Sequence, residues 1–176
     1  MTSLEASGIG RDNTSMWFVV WGERTFHMIY PQGTSAGLQR DNKGKQTKES
    51  SGLVFDVYRD KFTWDVGMSV RDWRYISRIA NIDVSDLNAT ATSASADLHD
   101  LMVTAYYKLH QRKIPHGTSA IYCNTTIKEY LHKQALQANS NTFIRVSEVD
   151  GEEKISFLGM QIREADAILS TEAQIT

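Results

Sequence analysis

Apolar residues in the first half of this chain fall in strand-like runs, and those in the second half fall in helical stripes. Met16-Trp17-Phe18-Val19-Val20-Trp21 is an unbroken run rich in aromatic and β-branched side chains, which predicts a buried strand. Gly22-Glu23-Arg24 follows as a turn, and Thr25 to Tyr30 reads as the return strand of a β-hairpin, stopped by Pro31. Gln32 to Ser51 holds few apolar residues and reads as a long exposed loop. Leu53 to Tyr58 and Lys61 to Val70 read as strands. In the second, Phe62, Trp64, Val66 and Met68 share one face, and Lys61, Thr63 and Asp65 share the other. Arg71 to Ile82 is expected to continue as a strand, with a bend at Arg71-Asp72.

Beyond a small-residue loop at Ser85 to Ser95, Leu98, Leu101, Met102, Ala105 and Leu109 form one apolar stripe, predicting an amphipathic helix from Asp97 to His110. Ser95 or Asp97 can cap its start, and Lys108, His110 and Arg112 suit its C-terminal dipole. Ser119 to Cys123 reads as a short strand. Thr126-Ile127-Lys128-Glu129 reads as a capping box opening a helix to about Ala138. Phe143 to Val149 and Glu153 to Leu158 should pair through a tight turn at Asp150-Gly151, with Met160 to Arg163 as the last strand. The expected class is α+β: a flexible start over 1–15, a β-rich portion over 16–84, and a helix-containing portion over 85–176, within one continuous fold.

Composition changes this picture little. The chain has 176 residues, 41% of them hydrophobic and 23% charged, which is ordinary globular usage. The net charge of −2 gives no field that announces nucleic acid. A single cysteine rules out an internal disulfide and fits a reducing compartment. No stretch approaches the ~18 apolar residues of a membrane-spanning helix.

Candidate chemistry is sparse. The five histidines show no metal-ligand spacing, and Cys123 has no near partner. Cys123 ends an apolar strand, where a small buried hydrophobe is the bland alternative to a nucleophile. Gly117-Thr118-Ser119 lacks the lysine of a phosphate loop. No catalytic, metal or cofactor site is therefore expected. Two charged features remain. Arg40, Lys43, Lys45 and Lys48 make a basic loop. Arg71, Trp73, Arg74 and Arg78 interleave cations with aromatic rings, a composition that suits stacked bases and protein–protein contacts alike.

Longer strings add a resemblance. Met16 to Glu23 with His27 to Gly33, Ala36-Gly37-Leu38-Gln39, Val70 to Ile76 running into Arg78 to Val84, and Asp100-Leu101-Met102 resemble the major capsid proteins of tailed phages and prophages. Tyr122 to Ile127 and Phe157 to Arg163 followed by Asp166-Ala167 do so too, in the family's order. The resemblance implies a Hong Kong-97-like capsid fold, with an axial-type sheet flanked by the two helices plus long antiparallel strands. It implies a structural virion protein, made in the bacterial cytoplasm, that works by self-assembly with copies of itself in hexamers and pentamers. Scaffold or portal proteins are possible further partners, packaged DNA is met only by weak nonspecific contact, and no membrane is involved. The family's N-arm, extended loop and spine helix would lie upstream, so the chain is expected to be a C-terminal half, as an expressed fragment or a truncated prophage gene. The two charged features are the expected subunit contacts. A small nucleic-acid- or protein-binding module and a cysteine hydrolase are the alternatives.

Overall fold

The unbroken apolar run becomes the middle of β2, a nine-residue strand, Asn13–Trp21, buried along most of its length. Both backbone edges of β2 are paired, since it lies between two antiparallel neighbours in the sheet. On one side is β7, Ile76–Asp83, and on the other β8, Thr118–Cys123. In a computed structural model the described residues are 2–6, 12–33, 37–85, 87, 98–137, 144–149 and 152–175. The Asp150-Gly151 turn and the Ser95 and Asp97 caps lie outside them. The small-residue loop from Ser85 does so almost entirely.

The remaining elements, in chain order, are β1 (Thr2–Glu5), β3 (Phe26–Ile29), β4 (Gln39–Ser50), β5 (Leu53–Thr63) and β6 (Gly67–Val70). They continue with a 3-10 turn (Trp73–Tyr75), α1 (Leu98–Lys108), α2 (Thr125–Gln137), β9 (Ile144–Val149), β10 (Glu152–Phe157) and β11 (Met160–Glu164). Two compact units emerge. One holds Met1–Phe26 and Val70–Thr176, and the other is His27–Ser69.

In the first unit the strands run β1-β7-β2-β8-β11-β10-β9. The sheet is mixed. β1 lies parallel to β7 and β11 parallel to β8, while the other neighbours are antiparallel. Met16, Phe18 and Val20 of β2, Ile79 of β7 and Ile121 of β8 point to one face. There they form a single core with Met102 and Leu109 of the α1 segment and Ile127 and Leu131 of α2. The stripe predicted for α1 is this contact: Leu98, Met102 and Ala105 are buried. Each large side chain so buried contributes roughly 1.5–3 kcal/mol. The opposite face carries a smaller cluster of Val19, Phe26 and Ile76, edged by Trp17, Trp21 and Tyr122.

Several expectations are corrected. Residues 2–5 are a strand, not a frayed start, because β7 offers them a parallel edge. The β2–β3 hairpin does not form; the two meet only at Trp21 and Phe26, and in parallel. Thr25 turns the chain away, its hydroxyl donating to the carbonyl of Val20 at 2.8 Å. The strand expected over Arg71 to Ile82 begins only at Ile76. Asp72 caps the 3-10 turn by accepting from the Arg74 amide at 3.0 Å. Helix α2 is capped by Asn124, whose Oδ1 accepts from the Ile127 amide at 2.9 Å, and not by Thr126. The exposed loop expected over Gln32 to Ser51 is, from Gln39 on, a twelve-residue strand.

Candidate functional site

The second unit is built around that strand. β4 and β5 pair antiparallel as a two-stranded sheet of their own, from Gln39 opposite Thr63 to Ser50 opposite Leu53. Ser51 and Gly52 close the ribbon with positive φ angles of 55° and 77°, the two left-handed residues that a tight hairpin turn requires. A bulge breaks the register between Asn42 and Lys45, where Gly44 takes φ 69° and donates its amide to Asn42 Oδ1 at 2.7 Å.

A ribbon with no third strand has no inside. Among the described residues of His27–Ser69 there is no buried hydrophobic side chain. The unit's apolar residues stand in solvent: Leu53 is 72% exposed, Tyr58 86%, Phe62 57% and Met68 68%. Isolated two-stranded ribbons are marginal in water. Large exposed apolar side chains gathered on one short ribbon suit a contact surface.

Directly opposed residues share a face. One face carries Arg40, Lys45, Thr47 and Glu49 beside Val54, Asp56, Tyr58, Asp60 and Phe62. Arg40 donates to Asp60 at 2.5 Å and lies over the Phe62 ring, 6.0 Å from its centroid. Lys45 pairs with Asp56 at 2.7 Å, and Thr47 donates to the same carboxylate at 3.0 Å. Those two donors hold the Asp56 carboxyl below its usual range, Lys45 having the larger effect. The other face carries Asp41, Gln46 and Lys48 beside Leu53, Phe55, Val57, Arg59 and Lys61. Lys43 sits at the bulge and pairs with Asp41. The four basic residues singled out by sequence are thus gathered on one ribbon but not on one face.

The second cationic group is placed in the first unit and divided by structure. Arg71 bends the chain, its amide donating to the Thr25 carbonyl at 2.8 Å. Trp73 is 56% exposed on the 3-10 turn. The Arg74 side chain grips the Asp72 carboxylate, donating from Nη2 to Oδ2 at 2.7 Å and from Nε to Oδ1 at 3.0 Å and to Oδ2 at 3.2 Å. That grip holds the Asp72 carboxyl down at about 2. Arg78 stands on β7 opposite Trp17 and is largely buried. It donates to Glu172 at 2.9 Å and lies 4.8 Å from the centre of the Trp17 ring.

Cys123 is fully buried in the main core, and burial pushes its thiol up to about 12. A thiol so placed holds its proton and is no nucleophile near neutral pH. A cleft of about 550 Å³ in the first unit is lined by residues including Glu23, Asp72, Tyr75, Gln111 and His116. Its Asp72 carboxylate is already neutralised by Arg74. Among the described residues no three metal-ligating side chains stand together, and no helix is long and apolar enough to cross a membrane.

The ribbon is not legible in the sequence because Gln39 to Ser50 is almost wholly polar and lacks the apolar alternation that marks a strand. The usable signals were Ser51-Gly52 between two long polar-flanked runs, and apolar residues at both odd and even positions of Leu53 to Tyr58.

Comparison with known proteins follows the same lines. The family described as "Major capsid protein GP7" matches residues 3–176. A chain in a near-atomic cryo-EM structure of bacteriophage epsilon15 superposes with a TM-score of 0.61 at 44% identity, covering 98% of this chain. The present chain spans about half, 52%, of that epsilon15 chain. No curated protein sequence matches.

Proposed function

Because this chain belongs to the major capsid protein GP7 family, we propose that it is a structural subunit of a phage capsid shell, acting by self-association and not by catalysis. The observation that carries this is the β4–β5 ribbon. It is twelve and eleven residues long on its two sides, with no core of its own and large apolar residues exposed along it. A shell subunit works through many repeated contacts, so each can be modest, and closure multiplies them.

In the Hong Kong-97-like arrangement proposed here, the mixed sheet with α1 and α2 is the axial-type portion that meets its copies around capsomer axes. The ribbon corresponds to the long antiparallel strands. Lys43, Lys45, Lys48 and Arg40 contact neighbouring subunits, as do Arg71, Trp73 and Arg74. Arg78 is left out, since its guanidinium is already engaged by Glu172 and Trp17. Hexamers, pentamers, scaffold or portal contacts, weak contact with packaged DNA and location in the virion are proposed for the whole shell protein.

Sedimentation velocity tests this. The chain should associate increasingly with concentration, and Leu53→Ser with Phe55→Ser should return it to monomer with the near-ultraviolet circular dichroism of the first unit unchanged. A wild-type chain that stays monomeric throughout the range overturns the proposal. A salt-sensitive shift of duplex DNA by that monomer would instead favour a nucleic-acid-binding module.

A further inference from the structure

The two faces of the ribbon are not equivalent, and the difference is one of charge as well as shape. The face bearing Tyr58 and Phe62 has Arg40 and Lys45 against Glu49, Asp56 and Asp60, an acidic excess. Its two cations pair within the ribbon with Asp60 and Asp56, so the excess is the single charge of Glu49. The face bearing Leu53 and Phe55 has Lys48, Arg59 and Lys61 against Asp41 alone, a basic excess, and Asp41 is itself paired with Lys43. Both faces are apolar enough to bind, and each presents the charge that the other lacks.

We propose that the acidic face of one ribbon docks on the basic face of the ribbon of a second copy, an inference that rests on the self-association proposed above. Like faces would meet charge against like charge, which disfavours a symmetric back-to-back dimer. Unlike faces attract, so the contact is heterologous. A heterologous contact runs in one direction from copy to copy and closes into a ring when the rotation allows. The second copy is the occupant that this pattern selects, because the complementary surface is carried by the chain itself.

The test is a charge-swap complementation on the whole chain. In one variant Lys48→Glu and Lys61→Glu reverse the basic face. In the other Asp56→Lys and Asp60→Lys reverse the acidic face. Each alone should shift the association midpoint by about tenfold or more to higher concentration, since like charges now meet. An equimolar mixture should recover association above either variant alone, because the unaltered acidic face of the first variant meets the unaltered basic face of the second, and the two reversed faces match each other in turn. Recovery also demonstrates that both variants are folded, and the near-ultraviolet circular dichroism of the first unit checks this independently. Variants that associate like wild type overturn the face-to-face docking while leaving self-association standing. A wild-type chain that never associates overturns both. Loss of duplex-DNA binding by the basic-face variant, with association unchanged, assigns that face to nucleic acid and overturns the docking.

Discussion

Arg78 and Glu172, 94 residues apart, meet at 2.9 Å, and the contact ties the C-terminal segment across the sheet. Glu172 also accepts from the Ser15 hydroxyl at 3.0 Å, and its amide donates to the Asn13 carbonyl at 2.8 Å. Three residues on, Asn81 exchanges two bonds with the backbone of Ile175, at 2.8 and 2.9 Å. Glu172→Gln leaves the half-buried Arg78 without its counter-charge. The expected cost is about 1–3 kcal/mol, a fall of several degrees in the melting temperature by calorimetry, with self-association unchanged. A loss of association at unchanged melting temperature would make Arg78 a contact residue instead.

Cys123 should resist thiol reagents in the folded chain and react at once in denaturant, followed by absorbance of the released chromophore. Its thiol titrates at about 12 against an ordinary value of 9.0. The folded state therefore favours the protonated form. That contribution is fully present below pH 9 and is lost as pH rises from there toward 12. Alkaline unfolding should accordingly move to higher pH in Cys123→Ala, once the smaller side chain's own cost is subtracted. Rapid labelling of the native protein at pH 7 would contradict the burial.

Asp72 provides the opposite sign. Its carboxyl titrates at about 2 in place of 3.8, first because the Arg74 side chain donates to it and second because the Arg74 amide does. The contribution is present above pH 3.8 and is lost as pH falls toward 2. Carboxyl-carbon NMR should follow this titration directly, and in Arg74→Gln the midpoint should rise toward 3.8. An unchanged midpoint would mean that the turn, and not the guanidinium, sets it. Arg74→Ala should also weaken association more than it lowers folding stability, if Arg74 contacts a neighbour.

What could be read from the sequence is what one buried face enforces. The stripe from Leu98 to Leu109, the strand ending at Cys123 and the pairing of β9 with β10 all follow from local pattern and turn chemistry. The partners of β2 do not. Strands β7 and β8 come from distant segments, and nothing near Trp21 announces them. The 3-10 turn at Trp73–Tyr75 depends on one Asp72 side chain, which a strand pattern overrides on paper. β4 was illegible for a different reason. Alternation marks a strand only when one face is buried, and β4 buries neither. The same fact that hid it makes the ribbon the candidate contact surface.

Hydrogen exchange read by mass spectrometry, on dilute and on associated protein, tests that surface most directly. The amides of β4 and β5 should exchange fast in the dilute chain and become protected on association, while those of β2 and β7 stay protected in both. Ribbon amides that are equally protected in the dilute chain, or that gain nothing when copies associate, would contradict the account.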